Sequence, residues 1–163
     1  MAPARWLDDD EQDAWRAFLR GASLLLERLD AELLEAHGLT LADYEILVRL
    51  SEGPRGGLRM SELADQALVS KSRLTYRVDR LVHDGLVERR PCPSDRRGSL
   101  AVLTASGRRR LERAAPTHVD GVVAYLFEQG SARDIAAVGR VFAAVAEALE
   151  RVPDDGRREA GTG

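Results

Sequence analysis

A mostly α-helical fold carrying one small β-hairpin is what this sequence predicts, and three observations predict it. Long stretches repeat apolar residues at three- and four-residue steps, the mark of amphipathic helices. Two short strand-like runs flank a basic segment rich in proline, glycine and aspartate. A serine or threonine stands at most of the expected helix starts, where its side chain satisfies a free backbone N–H. With 163 residues, 44% of them hydrophobic and 31% charged, the chain is long enough to bury a core without disulfides or a structural metal.

The first helix is expected over residues 8–36, where Trp15, Phe18, Leu19, Ala22, Leu25, Leu26, Leu29 and Leu33 share a face. Its acidic start suits the positive end of the helix dipole, and Gly38 ends it. Thr40 is the expected cap of a second helix, with Asp43 three residues on as a loose capping box. That helix carries Leu41, Tyr44, Leu47, Val48 and Leu50, and Gly53-Pro54 stops it. After a glycine-rich loop, Leu58-Arg59-Met60 is at most a very short strand. Ser61 should cap a third helix ending at Ala67, and Ser70 a fourth reaching His83, with Gly85 beyond its end. Strands are expected at 86–90 and 99–103, joined by a loop over 91–98. Thr104 caps a fifth helix, in which Leu111, Ala115, His118, Val122 and Leu126 share a face and Pro116 predicts a kink or break. Ser131 caps a last helix bearing Ile135, Val138, Phe142, Val145 and Leu149. The expected domain plan is a flexible start (1–7), a single domain over 8–152 and a disordered tail (153–163).

Several function classes drop out on composition. The first residues lack the apolar run of a secretory signal. The longest uncharged apolar stretch, 121–127, is far too short to span a bilayer. A lone cysteine, Cys92, forms no internal disulfide and fits a reducing cytoplasm. With His37, His83 and His118 dispersed, no metal-ligand cluster is visible, and no cofactor is expected. The net charge of −3 and a pI near 5.7 argue at face value against a polyphosphate partner. The distribution reverses that inference. Residues 55–113 hold 14 basic and 7 acidic side chains, a net of +7, and the remainder nets −10. Local potential, not total charge, attracts a polyanion.

The third and fourth helices, joined by a tight turn, make a helix-turn-helix. On the fourth, Leu74, Val78 and Leu81 fall on one side; Ser72, Arg73, Tyr76 and Arg80 fall opposite, with Arg77 on the flank. Such a helix is pinned by its apolar side while hydroxyls and guanidinium forks face base edges and phosphates. Ser70 and Lys71 lie at its N-terminus, where a phosphate is favoured. Arg96 and Arg97, beside Asp95 in the hairpin, suit a narrow minor groove. Ordinary solvated charge is the plainer account of each arginine group alone; their succession within one basic window favours DNA.

The run from Asp95 to Thr104 follows the pattern D-x-R-x-x-x-x-x-L-T. It resembles the wing of the MarR family of transcription regulators. Thr40-Leu41-Ala42-Asp43-Tyr44-Glu45-Ile46-Leu47, Met60-Ser61-Glu62-Leu63-Ala64 and Leu81-Val82-His83-Asp84-Gly85-Leu86-Val87 resemble that family's second helix and helix-turn-helix blocks, in order. The resemblance implies a winged helix-turn-helix homodimer with a DNA-binding lobe at about 55–104 and dimerisation helices at about 8–36 and 105–152. It further implies a pseudo-palindromic DNA operator and release by a small-molecule effector. By position, Ser70, Ser72, Arg73 and Arg77 would read the major groove, Arg97 would be the wing arginine and Asp95 its orienting partner. The function expected is a cytoplasmic, sequence-specific regulator, a repressor before an activator.

Other readings stay open. Cys92 is either a redox sensor, with Arg89, Arg90 and Arg96 near it in sequence, or a small residue tolerated between two prolines. Trp15, Phe18, His37 and Tyr44 either line an effector pocket or pack in the core or an interface. The Ile135–Leu149 stripe is either core or a dimer seam, and His118 suits an interface. An enzyme is disfavoured: His83 lies three turns from Ser72, and Gly56-Gly57 lacks the rest of a phosphate-cradling loop. A constitutive architectural DNA binder remains the other alternative.

Overall fold

A computed structural model describes residues 5–54, 57–66, 71–92 and 95–151, with backbone alone for 65, 66, 71 and 95–97. The chain packs as two compact units, Met1–Val122 and Val123–Gly163.

The first unit opens with α1, Asp9–His37, started by Asp8 and Glu11 in a reciprocal capping box. Gly38 ends it in the left-handed conformation (φ 65°), and Arg110 donates to the freed His37 carbonyl at 2.5 Å. Helix α2, Leu41–Glu52, begins at Thr40, whose hydroxyl accepts the Asp43 N–H while the Asp43 carboxylate accepts the Thr40 N–H. A second tie fixes this corner: the Leu41 N–H donates to Asp30 of α1 at 2.8 Å.

Strand β1, Leu58–Arg59, precedes α3, Met60–Gln66. Ser61 lies inside α3 rather than capping it. Glu62 instead reaches back to the Arg59 N–H at 2.9 Å, so the helix starts two residues sooner than the serine suggests. Ala67, Leu68 and the expected cap Ser70 lie outside the described residues. Helix α4, Lys71–His83, closes with paired bonds from Gly85 N–H to Val82 and from Leu86 N–H to Leu81, around Gly85 at φ 69°. That is a Schellman ending, and Leu81 and Leu86 are both buried beside it.

Strands β2, Val87–Cys92, and β3, Asp95–Leu103, complete an antiparallel sheet of order β1-β3-β2. The hairpin is longer than expected, since most of the anticipated 91–98 loop is strand. Pro91 is tolerated opposite Ser99 because β2 is an edge strand, and pairing turns irregular between Pro91 and Cys92. Gly57 (φ 96°) lies so close to β3 that a Cβ would sit 2.5 Å from the Ala101 carbonyl oxygen.

Helix α5, Ala105–Tyr125, runs through Pro116 without a break. Thr104 joins it to the sheet: its hydroxyl accepts the Gly107 N–H and donates to the Gly85 carbonyl, and its N–H bonds Leu86. A Cβ on Gly107 would meet the Leu86 carbonyl at 2.0 Å, so helix and sheet touch backbone to backbone. The core of this unit gathers Leu33, Leu47, Leu63, Leu81, Val87 and Leu111 from successive elements, with their neighbours. Full burial of each large aliphatic side chain contributes roughly 1.5–3 kcal/mol.

The second unit contains a 3-10 turn, Phe127–Gln129, and α6, Ala132–Glu150, started by a Ser131–Asp134 capping box. No residue of α6 is buried. Among the described residues no helix is long and apolar enough to cross a membrane.

Candidate nucleic-acid interface

Helix α4 is anchored by Leu74, Val78 and Leu81, all buried, and its opposite side presents Ser72, Arg73 and Tyr76 to solvent. The one-sided burial follows from spacing: positions 74, 78 and 81 fall on one stripe of a 3.6-residue helix. The backbone of Lys71 opens the helix, so the first turn's N–H groups are at the end that favours a phosphate.

Arg77 and Arg80 depart from the outward picture. Arg77 Nη1 donates to Thr40 Oγ1 at 2.8 Å and to Asp43 Oδ1 at 3.3 Å. Arg80 donates through Nη2 to Asp43 Oδ2. Asp43 itself is completely buried. Two cations of α4 are thus turned toward the start of α2. Sequence reasoning found the cap formed by Thr40 and Asp43, but nothing local signals partners 34 and 37 residues away.

The wing lies next in the chain. Asp95, Arg96 and Arg97 belong to β3, not to an irregular loop; their side chains lie outside the described residues. Arg89 of β2 forks onto one carboxylate oxygen of Asp79, at 2.8 and 3.1 Å, tying the hairpin to α4. Arg90 pairs with Glu88. Cys92 is buried at 6% exposure, whereas a peroxide-reactive thiol needs access.

The four effector-pocket candidates divide into two places. Trp15 and Phe18 stack on α1 with ring centres 5.6 Å apart and stay exposed. His37 stands at the other end of that helix, about 28–33 Å from them at 1.5 Å per residue, with Tyr44 beside it on α2. There His37 Nε2 bonds Thr117 Oγ1 at 2.8 Å, and the Tyr44 ring meets His118 at 4.6 Å. Thr117 of α5 is the member sequence reasoning missed here, and His118, expected at an interface, packs on Tyr44 instead. Burial holds the His118 imidazole below its usual pKa against an opposing pull from Glu45, and its Nδ1 is buried without a partner among the described residues. Burial and then the Glu45 charge raise the Tyr44 phenol. A separate cleft of about 640 Å³, lined by Leu50, Gly53, Pro54, Val102 and Arg108 among others, includes none of the four. No group of three or more potential metal ligands occurs among the described residues. The dimer-seam candidates Val138, Phe142, Val145 and Leu149 are exposed along α6, and Ile135 is half-buried.

Comparison with known proteins places this geometry. Residues 37–98 match a model of the MarR family. The fold superimposes on Sco3205, a MarR family transcriptional regulator from Streptomyces coelicolor solved in complex with DNA, with a TM-score of 0.90 and 40% identity over 95% of this chain and 97% of that one. The chain is also 34% identical to the HTH-type transcriptional repressor YetL of Bacillus subtilis and 33% identical to the transcriptional activatory protein BadR of Rhodopseudomonas palustris. Those matches cover 55% and 66% of this chain, and span 53% of YetL and 66% of BadR. The buried side of α4, the wing that follows it and this likeness over nearly the whole length agree: the chain belongs to the MarR family of transcriptional regulators, with the winged helix-turn-helix fold.

Proposed function

We propose that this chain is a cytoplasmic DNA-binding regulator, a binding protein rather than an enzyme, that occupies a pseudo-palindromic operator as a homodimer and represses transcription there. One observation carries the reading. A helix anchored by Leu74, Val78 and Leu81 offers Ser72, Arg73 and Tyr76 outward, beside a two-stranded arginine-bearing wing. In this reading Ser72, Arg73 and Tyr76 face the major groove, joined at the helix start by Ser70 and Lys71. Arg77 and Arg80 form a second row behind them. Arg97, with Arg96 and Asp95, enters the neighbouring minor groove. Twofold symmetry then sets the half-sites about one helical turn, roughly 34–36 Å, apart.

The niche at His37, Tyr44, Thr117 and His118 is the effector site of this reading. It offers one phenol ring, a threonine hydroxyl and two imidazoles, which suits a small aromatic compound with a polar substituent. A ligand there weakens DNA binding only by favouring a conformation that fits the operator less well.

Fluorescence anisotropy on DNA from the promoter beside its own gene tests the reading. Arg73→Ala and Arg97→Ala should each weaken operator binding by about 1–3 kcal/mol while the dimer persists. Unchanged affinity for both at physiological salt refutes the interface. The same titration with a panel of small aromatic compounds should show release, and Tyr44→Ala should abolish it.

A further inference from the structure

Among the described residues, Asp43 is the one charged side chain that is completely buried. A buried carboxylate is costly unless its charge is matched and its oxygens are bonded. Here it is doubly matched. Oδ1 accepts from Arg77, Oδ2 accepts from Arg80, and the Thr40 N–H and hydroxyl complete the oxygen's partners. Arg77 also donates to Thr40 Oγ1 at 2.8 Å. The side chains of Arg77 and Arg80 are only 27% and 38% exposed, and the Arg80 Nε is buried with no partner among the described residues. An arginine reaching for solvent would carry that N–H to water; this one has been drawn inward by its Nη end. The set of three carries a net +1 where two free arginines would offer +2.

The geometry points to Asp43 as a positioning residue for DNA recognition, one that withholds Arg77 and Arg80 from the phosphate backbone and leaves the reading to Ser72, Arg73 and Tyr76. Sequence-independent affinity comes almost wholly from phosphate neutralisation. Holding two of the helix's cations back therefore lowers binding to any DNA without touching the base-reading side. The network also locks the rotation of α4 against the first turn of α2, which keeps the exposed stripe aimed outward. The inference rests on the reading of α4 as the DNA-contacting helix.

The experiment is the salt dependence of binding to operator and to non-operator duplex. Asp43→Asn keeps the shape and an acceptor but removes the charge. It should steepen the slope of log K against log salt by about 1–2, since each neutralised phosphate adds about 0.9. Non-operator affinity should rise roughly tenfold at 0.1 M salt for each further phosphate that a released arginine neutralises, and the operator preference should shrink. If Asp43 merely staples two helices, both affinities fall together with the folded fraction and the slope stays put, which overturns the proposal. Should Asp43→Asn fail to fold, Arg77→Met carries the test, because Arg80 still matches Asp43. The proposal expects its slope to equal wild type, while Lys71→Met, at the helix start where a phosphate is favoured, lowers the slope by about 0.9. Equal losses in the two variants refute the role of Asp43 and leave α4 as the reader. A wild-type slope that neither variant moves removes α4 from the interface, and the proposal with it.

Discussion

Helices α4 and α6 carry apolar stripes of similar spacing, yet they end in opposite environments. Leu74, Val78 and Leu81 of α4 are 1% exposed or less, whereas Val138, Phe142, Val145 and Leu149 of α6 keep between 42% and 66% of their surface open. Both helices are ordinary in their own terms, and α6 starts with Ser131 and Asp134 in a reciprocal cap. Local rules therefore built both; what differs is whether the rest of the unit supplies a covering. For α4 it does, from α2, α3 and the sheet. For α6 the steps of three and four from Ile135 to Leu149 match the seam of paired helices, and a stripe of that size on one face is the kind of surface that marks an interaction site. Helix α4 is finished by its own chain; in the proposed dimer α6 is finished by a second copy.

The sharpest way to break this comparison is to delete the same kind of side chain from both. Leu81→Ala should cost about 2–5 kcal/mol in urea unfolding at any protein concentration, the usual range for a filled core position. Leu149→Ala should cost far less, and its effect should grow at concentrations where dimers form. Equal and concentration-independent losses would mean α6 has a covering within its own chain. Next in size, Phe142→Glu should weaken self-association by at least about 30-fold, as loss of an interface anchor worth about 2 kcal/mol does. Sedimentation should then show monomers that still give the far-ultraviolet signal of a folded helical protein. Persistence of the dimer would move the seam away from this stripe.

A smaller effect lies inside the first unit, where α2 meets α5. Burial lowers the pKa of His118 from its ordinary 6.5. Below pH 6.5 the unfolded chain takes up a proton that the folded chain refuses, so stability rises with pH between the depressed value and 6.5 and is lost on acidification. His118→Phe, which keeps a ring against Tyr44, should flatten that part of the stability curve measured from about pH 5 to 8. A curve identical to wild type would show that the imidazole titrates freely.

Much of this was legible in the sequence because it is local. The stripe at 74, 78 and 81, the caps Thr40 and Ser131, and Gly38 and Gly85 just past helix ends each depend on residues within a few positions. Reach defeated the rest. On a helical wheel Arg80 looks like another outward cation and Arg77 like one on the flank, and only the fold brings the α2 carboxylate to them. Ser61 has the chemistry of a cap, but Glu62 bonds the backbone of Arg59 and starts α3 sooner. Pro91 argues against a strand by propensity; edge position, a property of sheet order, makes it harmless. Trp15 and His37 share the residue types of an aromatic pocket, but they sit near opposite ends of one long helix.

The junction at Thr104 and Gly107 has a mechanical consequence. With the Gly107 backbone pressed on the Leu86 carbonyl and Thr104 bonded to both Gly85 and Leu86, the first turn of α5 and the root of the hairpin form one lever. From Leu103 to Asp95 the arm is about 26 Å long at roughly 3.3 Å per residue. A turn of α5 by about 10° would sweep the hairpin's end through roughly 5 Å, close to the spacing of neighbouring strands. A displacement too slight to notice at the fulcrum thus becomes, at the far end of the arm, a shift large enough to carry the proposed wing arginine into its groove or out of it.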